Sequence, residues 1–331
     1  MKKIVSIVLA VSMLAVCVTG CKTTTRKQLK PVVLNEVAHS IFYAPQYAAI
    51  ELGYFEDEGL DLTLVNGAGA DKVMTALISG DADIGFMGSE ASIYVYQQGS
   101  DDYAVNFAQL TQRAGNFLVG REAQDNFTWA DLKGKKVLGG RAGGMPEMVF
   151  EYILKKNVID PAADLTIDQS INFGLTAAAF TSNDADYTVE FEPFATGLEK
   201  EGNGHVIASL GVDSGYVPYT AYSVKKSYLE KNPETIQKFT NAIQKGLEYV
   251  NTHSAEEIAK VIQPQFKETD EDTIATIVGR YKDQDTWKGD TVFEKDSFEL
   301  LENILEEAGE LNERVPYDKL VTTEFSQEAA K

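Results

Sequence analysis

Thirteen residues of this chain recur in altered form 103 positions downstream, and that echo limits the fold more than any single motif does. Residues 78–90 read ISGDADIGFMGSE and residues 181–193 read TSNDADYTVEFEP, so Ser79, Asp81, Ala82 and Asp83 match Ser182, Asp184, Ala185 and Asp186. Each copy follows an apolar helical stretch (Val73, Met74, Ala76, Leu77; Ala177, Ala178, Ala179, Phe180) and precedes a short strand and a glutamate-bearing loop. The Asp-Ala-Asp triplets read as turn chemistry. Gly80 and Asn183 stand where a helix would close in the left-handed conformation. Two equivalent lobes follow.

The remaining pattern alternates strand and helix. Strands are predicted at 32–37, 60–65, 84–87 and 105–110, with helices at 45–52, 71–79 and 89–98 between them; a second such series runs from Phe117 to Ala208. That order implies an α/β fold with a mainly parallel sheet in each lobe and ligand loops at the carboxyl ends of the strands. From Val224 onward the pattern is helical. Asn232-Pro233 opens a helix whose apolar face is Ile236, Phe239, Ile243, Leu247 and Val250, and Ser254 with Glu257 spells a capping box. A last clear helix carries Phe293, Phe298, Leu301, Ile304 and Leu305. This helical extension is expected to pack on lobe 1.

The start of the chain reads as an export signal. Lys2-Lys3, an apolar run from Ile4 to Val18 and then Val18-Thr19-Gly20-Cys21 form a lipobox, which predicts cleavage after Gly20 and lipidation of Cys21. The protein is therefore expected on the extracytoplasmic face of the cell membrane, lipid-anchored. Residues 21–31, with Lys22, Arg26, Lys27 and Lys30, read as a basic tether. Removing residues 1–20 takes away two lysines and no acid, so a net charge of −20 becomes −22. Such a surface repels polynucleotides. With Cys17 lost and Cys21 acylated, no cysteine remains for a disulfide, and His39, His205 and His253 show no metal-ligand spacing. No cofactor and no metal are expected.

Several segments together resemble a known family: FYAPQYAAIELGYFEDEGLDLTLV (42–65), ALISGDADIGF (76–86), TWADLKGKKVLGG (128–140), VEFEPFATGLEKEG (189–202) and VPYTAYSVKKSYLEKNPETIQKFTNAI (217–243). They are similar to the solute-binding lipoproteins of bacterial ABC importers, in the branch handling nitrate, sulfonates, taurine and thiamine pyrimidine precursors. The resemblance implies a two-lobed type II periplasmic-binding-protein fold that traps a small-molecule solute between its lobes. It also implies a monomer that delivers its solute to an ABC permease and ATPase complex. The expected division is lobe 1 at 32–112 and 213–331, and lobe 2 at 113–212, with crossings near 111–115 and 211–215. The same fold houses an intracellular enzyme that builds the thiamine pyrimidine from its own histidine and uses a cysteine-rich motif. This chain has an export signal and no such motif. An exported enzyme and a sensory solute receptor are the alternative classes.

Candidate solute contacts lie in the loops after strands. Ser40 and Tyr43 follow the first strand, beside Phe42, which reads equally as core. Gly67 lies in Asn66-Gly67-Ala68-Gly69 ahead of a helix, where backbone N–H groups suit an anion or a carbonyl oxygen, although a tight turn explains the glycines too. Ser89 reads first as a helix cap, leaving Glu90 to meet a ligand amine. In lobe 2 the stretch 139–146 is the densest in glycine. Its Gly143 and Gly144 suit backbone contact, and Arg141 faces either cleft or solvent. The resemblance places the Glu-Pro turn at the cleft, making Glu192 and Glu190 the strongest acidic candidates. Carboxylates with Tyr43, Tyr216 and Tyr219 favour a nitrogenous heteroaromatic solute such as a thiamine pyrimidine precursor. Arg113 and Arg141 keep an aliphatic sulfonate, taurine or nitrate open.

Overall fold

A computed structural model describes residues 29–171 and 174–331. The expected signal and the expected lipidation site at Cys21 lie outside the described residues. Two five-stranded sheets organise the chain. The first has the order β2-β1-β3-β10-β4, from β1 (Lys30–Glu36), β2 (Leu60–Asn66), β3 (Ile84–Gly88), β4 (Ala104–Thr111) and β10 (Thr220–Lys225). The second has the order β7-β6-β8-β5-β9, from β5 (Phe117–Gly120), β6 (Lys136–Leu138), β7 (Thr166–Asp168), β8 (Tyr187–Glu190) and β9 (His205–Ser209). In each sheet one strand runs against both neighbours, β10 in the first and β5 in the second. Each is the strand that receives the chain from the other lobe.

The echo has a common physical basis. Asp83 Oδ2 accepts the Val33 N–H at 2.9 Å, and Asp186 Oδ2 accepts the Lys136 N–H at 2.9 Å. Val33 and Lys136 are themselves 103 residues apart, so each aspartate ties its turn to the strand that pairs in parallel with the one the turn leads into, β1 with β3 and β6 with β8. The helix ends differ. Gly80 is left-handed (φ 87°) as expected, but Asn183 is extended (φ −114°, ψ −168°). Its amide oxygen instead accepts the Ala185 N–H at 3.0 Å, a local turn that needs no left-handed residue.

The last two residues of the expected tether belong to the first strand. Lys30 and Pro31 already pair with Leu60 and Asp61, and the Lys30 ammonium donates to Asn232 Oδ1 at 3.0 Å and Thr235 Oγ1 at 2.6 Å. The capping box of Ser254 and Glu257 forms, and all five apolar residues of the 233–252 face are fully buried. That helix and the 255–262 helix pack against the 44–51 helix of lobe 1. Two later helices also reach lobe 2: 295–308 packs on the 145–156 helix, and 271–283 sends Arg280 to Glu192. Among the described residues, no helix is long and apolar enough to cross a membrane.

Candidate functional site

The chain passes between the sheets at 112–116 and again at 210–219, and strand-end loops of both lobes meet beside these crossings. The lobes touch there. Ser40 Oγ donates to the Glu192 carbonyl at 2.9 Å, and the Tyr94 hydroxyl donates to the Gly143 carbonyl at 3.3 Å. Phe42 is fully buried, with ring centroids 5.1 Å from Tyr43, 5.2 Å from Tyr281 and 5.7 Å from both Phe191 and Tyr219. A Cβ on Gly115 would meet this ring at 2.6 Å, so only glycine lets the crossing pass over it. The Phe42 ring is thus the floor on which the aromatic residues of the cleft are set.

Glu90 is the acid at this point. It opens the 90–97 helix directly after β3, is 4% exposed, and its Oε2 has no hydrogen-bond partner among the described residues. Burial pushes its carboxyl up to about 7, opposed by the N–H groups of Glu90 itself and of Met145 and by the charge of Arg141. Met145 begins the 145–156 helix of lobe 2, so Glu90 reaches across to the other lobe. Tyr43 and Tyr219 are both buried, and the Glu90 carboxylate helps hold both phenols well above their usual range, after burial itself. A Cβ on Gly88 would lie 2.1 Å from Glu90 Oε2, which reserves that space for the carboxyl. The Tyr219 hydroxyl donates to Asn116 Oδ1 at 2.7 Å, and Asn116 Nδ2 is buried without a partner among the described residues.

Glu190, at the end of β8, is also driven up to about 7 by burial, opposed by hydrogen bonds from the Thr188 and Thr176 hydroxyls at 2.6 and 2.9 Å. The glycine-rich loop is braced from within lobe 2. The Gly143 N–H donates to Glu147 Oε2 at 3.1 Å, and burial with the neighbouring Glu151 raises the Glu147 carboxyl to about 8. Gly144 precedes the 145–156 helix as its N-cap, and Gly143 takes φ 73°.

Other candidates are committed elsewhere. Glu192, expected to face a ligand amine, accepts from Thr196 N, Thr196 Oγ1 and Arg280 Nη1, each at 2.9 Å. It caps the helix that follows Pro193 and is paired with a cation, so no oxygen is left over for a solute. Arg113 is engaged by the second crossing. It donates to the Gly211 and Val212 carbonyls at 3.0 and 3.4 Å, and its guanidinium lies 4.3 Å over the Tyr216 ring. Tyr216 is 52% exposed and bonds Asp285, outside the aromatic cluster. Ser89 makes no cap bond; its hydroxyl donates to the Pro218 carbonyl, pinning the second crossing to lobe 1. Gly67 packs on Asn35, where a Cβ would meet Oδ1 at 2.6 Å. Arg141 is exposed at the cleft mouth, 3.9 Å from Asp71 of lobe 1. Among the described residues no lysine or arginine is buried, and no group of histidine, cysteine and acidic residues has the arrangement of a metal site.

Asn116, Met145 and the two threonines around Glu190 were not legible as site residues in the sequence. Asn116 lies one position past the expected crossing, in Ala-Gly-Asn-Phe, and that placement was the one available signal. Two open surface grooves, of about 510 and 310 Å³, lie elsewhere, one lined by Gln109, Tyr216 and Lys288 and the other by Val206, Val212 and Arg280.

Comparison with known proteins agrees with this architecture. Residues 41–257 match the family described as NMT1/THI5 like. The putative binding protein YtlA of Bacillus subtilis is 47% identical over 308 residues, covering 93% of this chain and 92% of that one. The formylaminopyrimidine-binding protein of Halalkalibacterium halodurans is 25% identical over 293 residues (83% and 85%). The 4-amino-5-hydroxymethyl-2-methylpyrimidine phosphate synthase THI11 of Saccharomyces cerevisiae is 26% identical over 229 residues (63% and 63%). Among solved structures, the alkanesulfonate-binding protein SsuA of Xanthomonas axonopodis pv. citri, bound to MOPS, superposes with a TM-score of 0.71 at 14% identity, covering 89% of this chain and 99% of that one. The fold is that of the type II periplasmic binding proteins.

Proposed function

The chain belongs to the NMT1/THI5-like family, and on that footing we propose that it is an extracytoplasmic solute-binding lipoprotein. It captures a small nitrogenous heteroaromatic, a thiamine pyrimidine precursor or a close relative, and hands it to an ABC permease and ATPase complex. The observation that carries the solute class is Glu90: a buried carboxyl with one oxygen unpartnered among the described residues, near enough to Tyr43 and Tyr219 to act on both phenols, whose rings pack in turn on Phe42. Such a site takes an N–H donor on a flat ring, because the acid satisfies the donor while aromatic faces cover the ring. Both cations that favoured an anion are placed otherwise, Arg113 in the crossing and Arg141 at the rim. The ligand for which the H. halodurans relative is named, a formylaminopyrimidine, supports the same class.

The likeness to a yeast synthase supports the ligand class more than an activity. His39 is held between Glu36 Oε1 at 2.8 Å and the Gln265 carbonyl at 2.9 Å, His253 stacks on Tyr249 at 3.8 Å, and His205 is exposed on β9. None stands beside Glu90. The test is to denature the purified protein, weigh what it releases, and titrate an aminopyrimidine and an alkanesulfonate by calorimetry. Release or binding of the aminopyrimidine is expected. Binding of the alkanesulfonate alone would overturn the solute class, and conversion of the bound molecule would make the protein an enzyme.

A further inference from the structure

Among the described residues, three buried polar atoms at the crossings and the strand end beside them have no hydrogen-bond partner: the acceptor Glu90 Oε2 and the donors Asn116 Nδ2 and Arg113 Nε. Arg113 is taken up by the Gly211 and Val212 carbonyls and the Tyr216 ring, which leaves Glu90 and Asn116 as an acceptor and a donor beside Tyr219. Glu90 is 4% exposed and Asn116 fully buried. Tyr219 connects them. Its hydroxyl takes Asn116 Oδ1 at 2.7 Å, which fixes the amide with Nδ2 left over, and its own phenol feels the Glu90 charge. Asn116 is held from the other side as well, since its carbonyl accepts the Leu210 N–H at 3.0 Å. Asn116 is therefore tied to the second crossing at two points, and Glu90 stands beside the same crossing, because Ser89 bonds the Pro218 carbonyl and Gly88 pairs with Thr220.

We infer that Glu90 and Asn116 together read one edge of the solute, an edge carrying an N–H donor beside a hydrogen-bond acceptor, as an exocyclic amine next to a ring nitrogen does. The inference rests on the solute class proposed above and adds the two residues that set its specificity. Leaving a buried donor or acceptor unmet is costly, so selectivity follows from what each solute leaves unpaired. A sulfonate offers acceptors to Asn116 but turns oxygen toward Glu90. An alkylammonium satisfies Glu90 and leaves Asn116 orphaned. Only a mixed edge satisfies both, and it bonds at once to lobe 1 and to the crossing.

The experiment is calorimetry with 4-amino-2-methylpyrimidine and with 3-methylaniline, which has the same amine and methyl positions but no ring nitrogen. Wild-type protein should bind the pyrimidine at least about 5-fold more tightly, one neutral hydrogen bond. Glu90→Gln should weaken the pyrimidine about 10- to 150-fold, the range of a charge-assisted bond. Asn116→Asp keeps an acceptor for Tyr219 and replaces the donor by an oxygen. It should weaken the pyrimidine at least about 10-fold and leave 3-methylaniline unchanged. Equal loss for both probes in Asn116→Asp, or undiminished pyrimidine binding in both variants, overturns the assignment while leaving the solute class intact. If Asn116→Asp does not fold, the comparison of the two probes on wild-type protein decides, and equal affinities overturn the assignment. Binding of an alkanesulfonate in place of either amine removes the solute class and this inference together.

Discussion

Replacing Glu192 by glutamine separates a latch from a ligand contact. The Glu192 carboxyl is fully buried and accepts three donors at 2.9 Å, two from Thr196 and one from Arg280. Glutamine keeps the shape but has one acceptor oxygen, so at least one of those donors faces an N–H group. Removing one member of a buried ion pair costs about 3–5 kcal/mol. Arg280 is 27% exposed and keeps Glu199 as a second carboxylate, which lowers the cost here to about 2–3 kcal/mol. At roughly 2–4 °C per kcal/mol, the unfolding temperature should drop by about 5–10 °C. The assay is scanning calorimetry on wild type, Glu192→Gln, Arg280→Gln and the double variant, with solute titration on each. The two single changes should be strongly non-additive, and solute affinity should move little. An unchanged unfolding temperature with affinity falling 10-fold or more would refute the latch and return Glu192 to the solute.

Gly88→Ala would place a methyl 2.1 Å from Glu90 Oε2 and displace the carboxyl. Solute affinity should fall about 10-fold or more, by the loss of one charge-assisted bond, and an unaffected titration would show that Glu90 does not meet the solute. Cys21→Ser should move the protein from the membrane fraction to the soluble one, since the remaining basic tether alone holds weakly; unchanged membrane attachment would rule out the lipid anchor.

Sequence legibility followed the range of the interactions involved. The strand and helix positions of the first lobe, the repeated aspartate turns, the capping box at Ser254 and the apolar face of the 233–252 helix rest on neighbours in sequence, and they stand as read. Glu190, Glu192 and Glu90 looked alike because each follows a strand. What sorts them is Arg280, 88 residues beyond Glu192, which turns one acid into a structural ion pair. Arg113 looked like an anion ligand until the second crossing supplied two carbonyls and an aromatic face. Ser89 looked like a helix cap until Pro218, 129 residues away, supplied an acceptor. Asn183 failed for a different reason: its side chain makes a turn by itself, so the left-handed conformation was never required.

The competing solute classes have opposite proton linkage, and that follows from the same carboxyl. An anion placed about 4 Å from an ionised Glu90 is repelled by about 4 kcal/mol at an effective dielectric of 20, with no buried cation to offset it. Arg141 stands at the mouth beside Asp71 and would have to leave the rim. An anion would therefore bind only with Glu90 protonated, and its affinity would fall as pH rises through about 7. An amine-bearing ring favours the ionised carboxylate, so its affinity should rise through the same range and level off above it. The unliganded protein behaves in the other sense. A carboxyl raised from the usual range to about 7 contributes stability that is complete below about pH 4.5 and lost as pH rises through about 7, and Glu190 adds a contribution of the same sign. A donor solute thus restores what the free protein loses across neutrality. Calorimetry in two buffers of different ionisation enthalpy at pH 6.5 should show proton release on binding the aminopyrimidine. Proton uptake would mean that Glu90 meets an acceptor, and the assignment of the solute as a donor-bearing ring would fall with it.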